Sequence, residues 1–118
     1  ADAVSLINTL TGMKVDIQRK AFVLANKTGG VSGPAIHPIA VRMVYEAANA
    51  VNVPIIGMGG IATAEDAIEM LLVGASAVSV GTANFYNPAV TMEIVDGIEQ
   101  YMEAQGFASV ADMVGIVK

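Results

Sequence analysis

Residues 53–85 read VPIIGMGGIATAEDAIEMLLVGASAVSVGTANF, and the reading of this stretch decides the fold class. Pro54 opens the apolar run PIIGM, which ends at Gly59 and Gly60. Thr63 and Asp66 have capping-box spacing at the start of AEDAIEMLLV, and Gly74 is placed to stop that helix. SAVSV follows as a second apolar run and ends at Gly81, just before Thr82. Neither run alternates polar with apolar residues, which is the pattern of strands in a parallel sheet covered by helices. The stretch therefore predicts strand, helix and strand, with glycine at each carboxyl tip.

The flanks extend the same order. Toward the N-terminus, Ala3–Asn8 is a short apolar strand running into NTLTG, and MKVDIQR and AFVLAN around Arg19 and Lys20 predict a polar hairpin. After the loop KTGGVSGP, the positions Ala40, Val44, Ala47 and Val51 recur at helical intervals from His37 onward, with Met43 and Ala48 beside them. Toward the C-terminus, Asn87 and Pro88 predict the N-cap and first residue of an amphipathic helix with the stripe Val90, Ile94, Ile98 and Met102, ended by Gly106. SVADMVGIVK predicts a last short helix. The succession β, hairpin, α, β, α, β, α suits either a (β/α)₈ barrel or an open doubly wound sheet. Its β/α units are too few to close a barrel, so on the barrel reading this chain is the last part of one. The opening ADAVSLINTL, with no initiator Met and a strand almost at once, predicts a piece of a longer product.

Composition removes several function classes. The 118 residues are 54% hydrophobic and 14% charged, which predicts that part of the surface is made to be covered. With 11 acidic and 6 basic residues the net charge is −5, and no Lys or Arg cluster offers a footprint for nucleic acid. The absence of cysteine removes disulfides, thiolate metal sites and a thiol nucleophile. No apolar window approaches the roughly 18 residues of a membrane span and no signal pattern is present, so the chain reads as cytoplasmic.

In both candidate folds the ligand lies at the carboxyl ends of the strands, where Gly59, Gly60, Gly81 and Thr82 stand. Glycine lets successive backbone N–H groups approach an anion with no Cβ in the way, and positive φ is open to it. Two glycine-tipped strands side by side make a dianion cradle without a basic side chain. Glycine pairs after strands also serve as plain βα turns, and the pattern alone leaves both readings open. Asn8 and Thr9, an amide beside a hydroxyl at a strand end, suit a planar ligand rich in donors and acceptors, or a simple turn.

INTLTGMKVDI, NKTGGVSGPAIHPIAVRMV, VPIIGMGGI and GASAVSVGTANFYNP, from about Val4 to the chain's end and in this order, resemble the carboxyl-terminal part of the dihydroorotate dehydrogenases, most of all the NAD-linked class 1B type. The resemblance implies an FMN-containing (β/α)₈ barrel that oxidises dihydroorotate to orotate in pyrimidine (UMP) biosynthesis, with residues 1–118 forming its FMN phosphate-binding half. Ala3–Asn8 would be strand six, Ile55–Met58 strand seven and Val78–Val80 strand eight, with the hairpin Met13–Asn26 inserted over the site or between subunits. Gly33, Gly59, Gly60, Gly81 and Thr82 match positions that hold the FMN phosphate and ribityl, Ile7 would lie against the flavin, and Asn8 and Thr9 match the pair that binds the pyrimidine. The family's base in this class is a cysteine earlier in the barrel, so no catalytic residue falls in this chain, and the chain alone is expected to be inactive. The resemblance further implies a homodimer and a partner subunit carrying FAD and an iron–sulfur cluster.

Other residues read more plainly. His37, beside Pro38, is expected to be an exposed residue of a helix's first turn, and Glu65, Asp66 and Glu69 to favour a helix dipole rather than bind metal. The seven Met residues are expected to fill core. Alternative identities are a self-assembling, non-catalytic phosphate-binding half-barrel, the FMN barrel module of a dihydropyrimidine dehydrogenase, or a relative of inosine monophosphate dehydrogenase.

Overall fold

The computed structural model describes all residues 1–118. Strands β1 (Val4–Leu6), β6 (Ile55–Met58) and β7 (Ala77–Ser79) form a parallel sheet in the order β1-β6-β7. Val4 aligns with Ile55 and Leu6 with Gly57, while Ile56 aligns with Ala77 and Met58 with Ser79. Between β1 and β6 the chain forms β2 (Leu10–Met13), β3 (Val15–Asp16), β4 (Ala21–Phe22) and β5 (Thr28–Val31), in which β2 pairs antiparallel with β5 and β3 with β4. The main helices are α1 (His37–Ala50), α2 (Ala64–Leu72) and α3 (Val90–Gln105).

Each helix forms for a local reason and is then held by packing. In α2 the Thr63 hydroxyl accepts from the Asp66 N–H and the Asp66 carboxylate accepts from the Thr63 N–H, closing the expected box. Helix α3 ends where Gly106 takes φ 77°, a left-handed cap that costs glycine little. The core joins Ala40 and Val44 of α1, Ile55 of β6, Ala67 and Met70 of α2 and Val90 and Ile94 of α3. A smaller cluster gathers Ile68, Leu71 and Met113.

Several expectations are corrected. The sheet is covered by helices on one face only. Val4, Leu6, Ile55 and Gly57 lie against the helical side, whereas Ser5, Ile56 and Ala77, a row on the opposite face, are exposed. Helix α3 begins at Val90 rather than at Pro88, because the Asn87 side chain accepts from the Ala89 N–H at 3.3 Å and forms a turn ahead of the helix. In place of a last helix there is a single 3-10 turn, Val110–Asp112. The tail is instead tied to the end of α2, with the Gly115 N–H donating to the Leu71 carbonyl and the Val117 N–H to the Leu72 carbonyl, both at 3.0 Å. Both carbonyls lie in the last turn of α2, where the helix itself offers no donor; Leu71 also accepts from the Gly74 N–H, and the tail supplies the donor to Leu72. The hairpin is polar at Arg19 and Lys20, yet it also exposes Ile17, Phe22, Val23 and Leu24. Met70 and Met113 fill core as expected, whereas Met13 and Met92 are exposed.

Candidate functional site

A cleft of about 150 Å³ opens at the carboxyl ends of the three parallel strands. Ile7, Gly33, Gly59, Gly60, Gly81, Thr82 and Thr9 all line it, together with Ser32, Ile36, Met58, Ser79 and Tyr86. Ile7 follows β1 and is held by its N–H, which donates to the Met58 carbonyl at 2.9 Å. Gly33, with φ 94°, turns the chain from β5 into the short 3-10 turn Pro34–Ile36 ahead of α1. The loop after β6 supplies Gly59 and Gly60, and the loop after β7 supplies Gly81 and Thr82.

Glycine is required at Gly60 for two independent reasons. Its φ is +66°, and a Cβ there would stand 2.6 Å from the Gly33 carbonyl oxygen and 2.8 Å from the backbone nitrogen of His37. The loop after β6 and the segment Gly33–His37 are thus packed backbone on backbone at that point. Gly81 differs from the expectation of positive φ: its φ is −107°, and a Cβ on it would meet nothing within 4 Å. Gly81 lines the cleft with open space where a side chain would stand.

The cleft's polarity comes from the main chain. The N–H groups of Gly33, Gly59, Gly60 and Gly81 donate to no backbone carbonyl and to no side chain. No Lys, Arg or His side chain lines the space, so these N–H groups and the hydroxyls of Thr9, Ser32 and Thr82 are what a ligand meets. The Thr82 hydroxyl donates to Ser32 Oγ at 2.8 Å, linking the loop after β7 to the loop after β5 across the mouth. Ser32 is a lining residue that sequence reasoning missed, although it adjoins Gly33 in SGP.

Asn8 stands apart from the others. It is exposed and outside the lining, and its Oδ1 accepts from the Thr9 N–H at 2.8 Å, a bond of the local turn. His37 corrects the expectation of an exposed residue, since it is 6% exposed. Its Nδ1 lies 2.9 Å from the Gly59 carbonyl oxygen, and its Nε2 lies 3.1 Å from Glu69 Oε2 and 3.6 Å from Asp66 Oδ1. No local signal could have shown this, because the ring's partners come from two segments more than twenty residues away in sequence, at separations of 22 and 32.

This glycine-walled cleft, with free main-chain donors at the carboxyl ends of parallel strands, is accompanied by a match of residues 1–102 to the family model described as Dihydroorotate dehydrogenase. The chain belongs to the dihydroorotate dehydrogenase family. It is 62% identical over 118 residues to the Dihydroorotate dehydrogenase B (NAD(+)), catalytic subunit, of Lachnoclostridium phytofermentans, covering 100% of this chain and 39% of that one. The protein of the same description from Alkaliphilus oremlandii is 60% identical over 115 residues, covering 98% of this chain and 38% of that one. Among solved structures, a crystal structure of DHODH from Eimeria tenella in complex with ferulenol superposes with a TM-score of 0.79 at 28% identity, covering 98% of this chain and 31% of that one. The chain therefore spans about 39% of the length of the curated dihydroorotate dehydrogenase relatives it matches.

Proposed function

We propose that residues 1–118 are the carboxyl-terminal part of a (β/α)₈ dihydroorotate dehydrogenase barrel and that their cleft holds the phosphate end of FMN. In this reading β1, β6 and β7 are the sixth, seventh and eighth strands, with β2 to β5 inserted after the sixth. The observation that carries it is that Gly33, Gly59, Gly60 and Gly81, whose N–H groups make no bond within the chain, all line one cleft with no basic side chain, in a chain of this family. Such nests of main-chain donors suit a dianion. The fit extends to size: about 150 Å³ is well below the roughly 300–1,000 Å³ of sites that enclose a whole ligand, so this chain surrounds one end of the cofactor.

Thr82 adds a hydroxyl toward the phosphate and ribityl, and Ile7 offers its apolar side chain to the flavin. Asn8 and Thr9 bind dihydroorotate, which requires Asn8 to exchange its present turn bond for the ligand. FMN held there would supply the hydride acceptor for the oxidation of dihydroorotate. With no cysteine in the chain, the base belongs to the remainder of the barrel, and these residues hold and orient rather than abstract a proton. The same reading places the enzyme in the cytoplasm as a homodimer, with electrons leaving through a partner subunit that carries FAD and an iron–sulfur cluster.

The test is a flavin titration of the chain, followed by fluorescence quenching, with FMN and riboflavin in parallel. A site for the phosphate binds FMN at least about tenfold tighter, the worth of one charge-assisted bond. Equal affinity for the two flavins overturns the phosphate assignment. Mixing the chain with the missing amino-terminal segments of the L. phytofermentans relative then tests the rest: dihydroorotate-dependent flavin reduction is expected from the mixture and not from the chain alone.

A further inference from the structure

His37 does not line the cleft, yet its ring is the only side chain hydrogen-bonded to either glycine of the Gly59–Gly60 pair after β6. A carbonyl oxygen only accepts, so Nδ1 carries the hydrogen and donates to the Gly59 oxygen at 2.9 Å. On the other side of the ring, the Glu69 and Asp66 carboxylates of α2 face Nε2 at 3.1 and 3.6 Å. The ring is thereby wedged between the first turns of α2 and the loop, and it is buried at the first residue of α1.

The peptide linking Gly59 to Gly60 is trans and planar, so its C=O and N–H point in opposite directions. Holding the Gly59 oxygen against His37, away from the cleft, turns the Gly60 N–H toward the cleft, where it has no protein acceptor. Two glycines in succession can rotate this peptide at little cost, since neither has a Cβ to oppose it. Something must select one orientation.

We propose that His37 is a positioning residue, which fixes the Gly59–Gly60 peptide so that the Gly60 N–H is presented to a bound phosphate, with Glu69 and Asp66 bracing the ring from α2. This rests on the phosphate reading of the cleft. The role differs from fold support, because it predicts loss at one donor of the cradle while the others stay in place.

The experiment is amide NMR of the chain titrated with inorganic phosphate. In the unaltered chain the Gly33, Gly60 and Gly81 amide signals are expected to move together on saturation. In His37→Leu the Gly60 signal is expected to stop responding while Gly33 and Gly81 still move, with affinity reduced about tenfold. His37→Asn, whose side-chain N–H replaces the Nδ1 donor, is expected to restore the Gly60 response. A Gly60 response that persists in His37→Leu at unaltered affinity, or that His37→Asn fails to restore in a folded chain, overturns the proposal. If His37→Leu does not fold, Glu69→Ala provides the second arm by removing an exposed brace. It is expected to shrink the Gly60 response relative to Gly33, and an undiminished response overturns the role. Silence of Gly60 alone in the unaltered chain overturns the positioning role and leaves the phosphate reading standing, whereas silence of all three signals overturns both.

Discussion

Gly60 and Gly81 occupy the tips of neighbouring strands, but the structure demands glycine at Gly60 and leaves room for a side chain at Gly81. At Gly60 a Cβ meets the Gly33 carbonyl and His37 backbone below 3 Å on a backbone with φ +66°, so Gly60→Ala is expected to destabilise by about 2 kcal/mol or more, read by urea unfolding. At Gly81 the Cβ meets only open space, so Gly81→Ala is expected to cost under about 1 kcal/mol while weakening FMN more than riboflavin. An equal loss of stability in both variants would show that Gly81 is a turn residue and nothing more. The positions of Gly59, Gly60 and Gly81 were legible because they follow apolar runs directly. His37 and Ser32 were not, since their roles depend on partners brought near by folding: His37 on Gly59 and Glu69, Ser32 on Thr82.

Among elements, α2 is the one whose local code and final form agree most closely. Thr63→Ala removes the hydroxyl that accepts from the Asp66 N–H and is expected to cost about 1 kcal/mol, measurable as a fall in the thermal midpoint. An unchanged midpoint would mean that packing of Ala67, Met70 and Leu71 alone holds the helix. Elsewhere the competition between local and tertiary bonds moved the boundaries. The Asn87 side chain forms a turn before α3 rather than its cap, and after the 3-10 turn the tail gives its Gly115 and Val117 N–H groups to α2 rather than to a continuing helix of its own. Hydrophobic periodicity has no access to such choices, because it reports which face is apolar and not which acceptor a given N–H will find.

The molecule as a whole is more open than its size requires. Its accessible surface is 7,447 Å², against roughly 6,000 Å² for a compact monomer of 12.1 kDa. Its radius of gyration is 16.4 Å, against about 13.5 Å for a compact chain of 118 residues. The outer edges of β1 and β7 pair with nothing, and Ile56 is exposed on the helix-free face of the sheet. Unpaired strand edges beside apolar surface favour association, so light scattering at micromolar concentration is expected to show a dimer or larger species. A stable monomer would count against the part-barrel reading. The sequence by itself determined the order of strands and helices, the glycine-tipped strand ends and the family, since these are written in local periodicity and contiguous motifs. Only the tertiary structure decided that one face of the sheet is left open, that His37 is buried against Gly59, and that donors from three separate loops meet in one cleft. Each of these depends on contacts between segments distant in sequence, whose approach is set by packing of the core and by no local pattern.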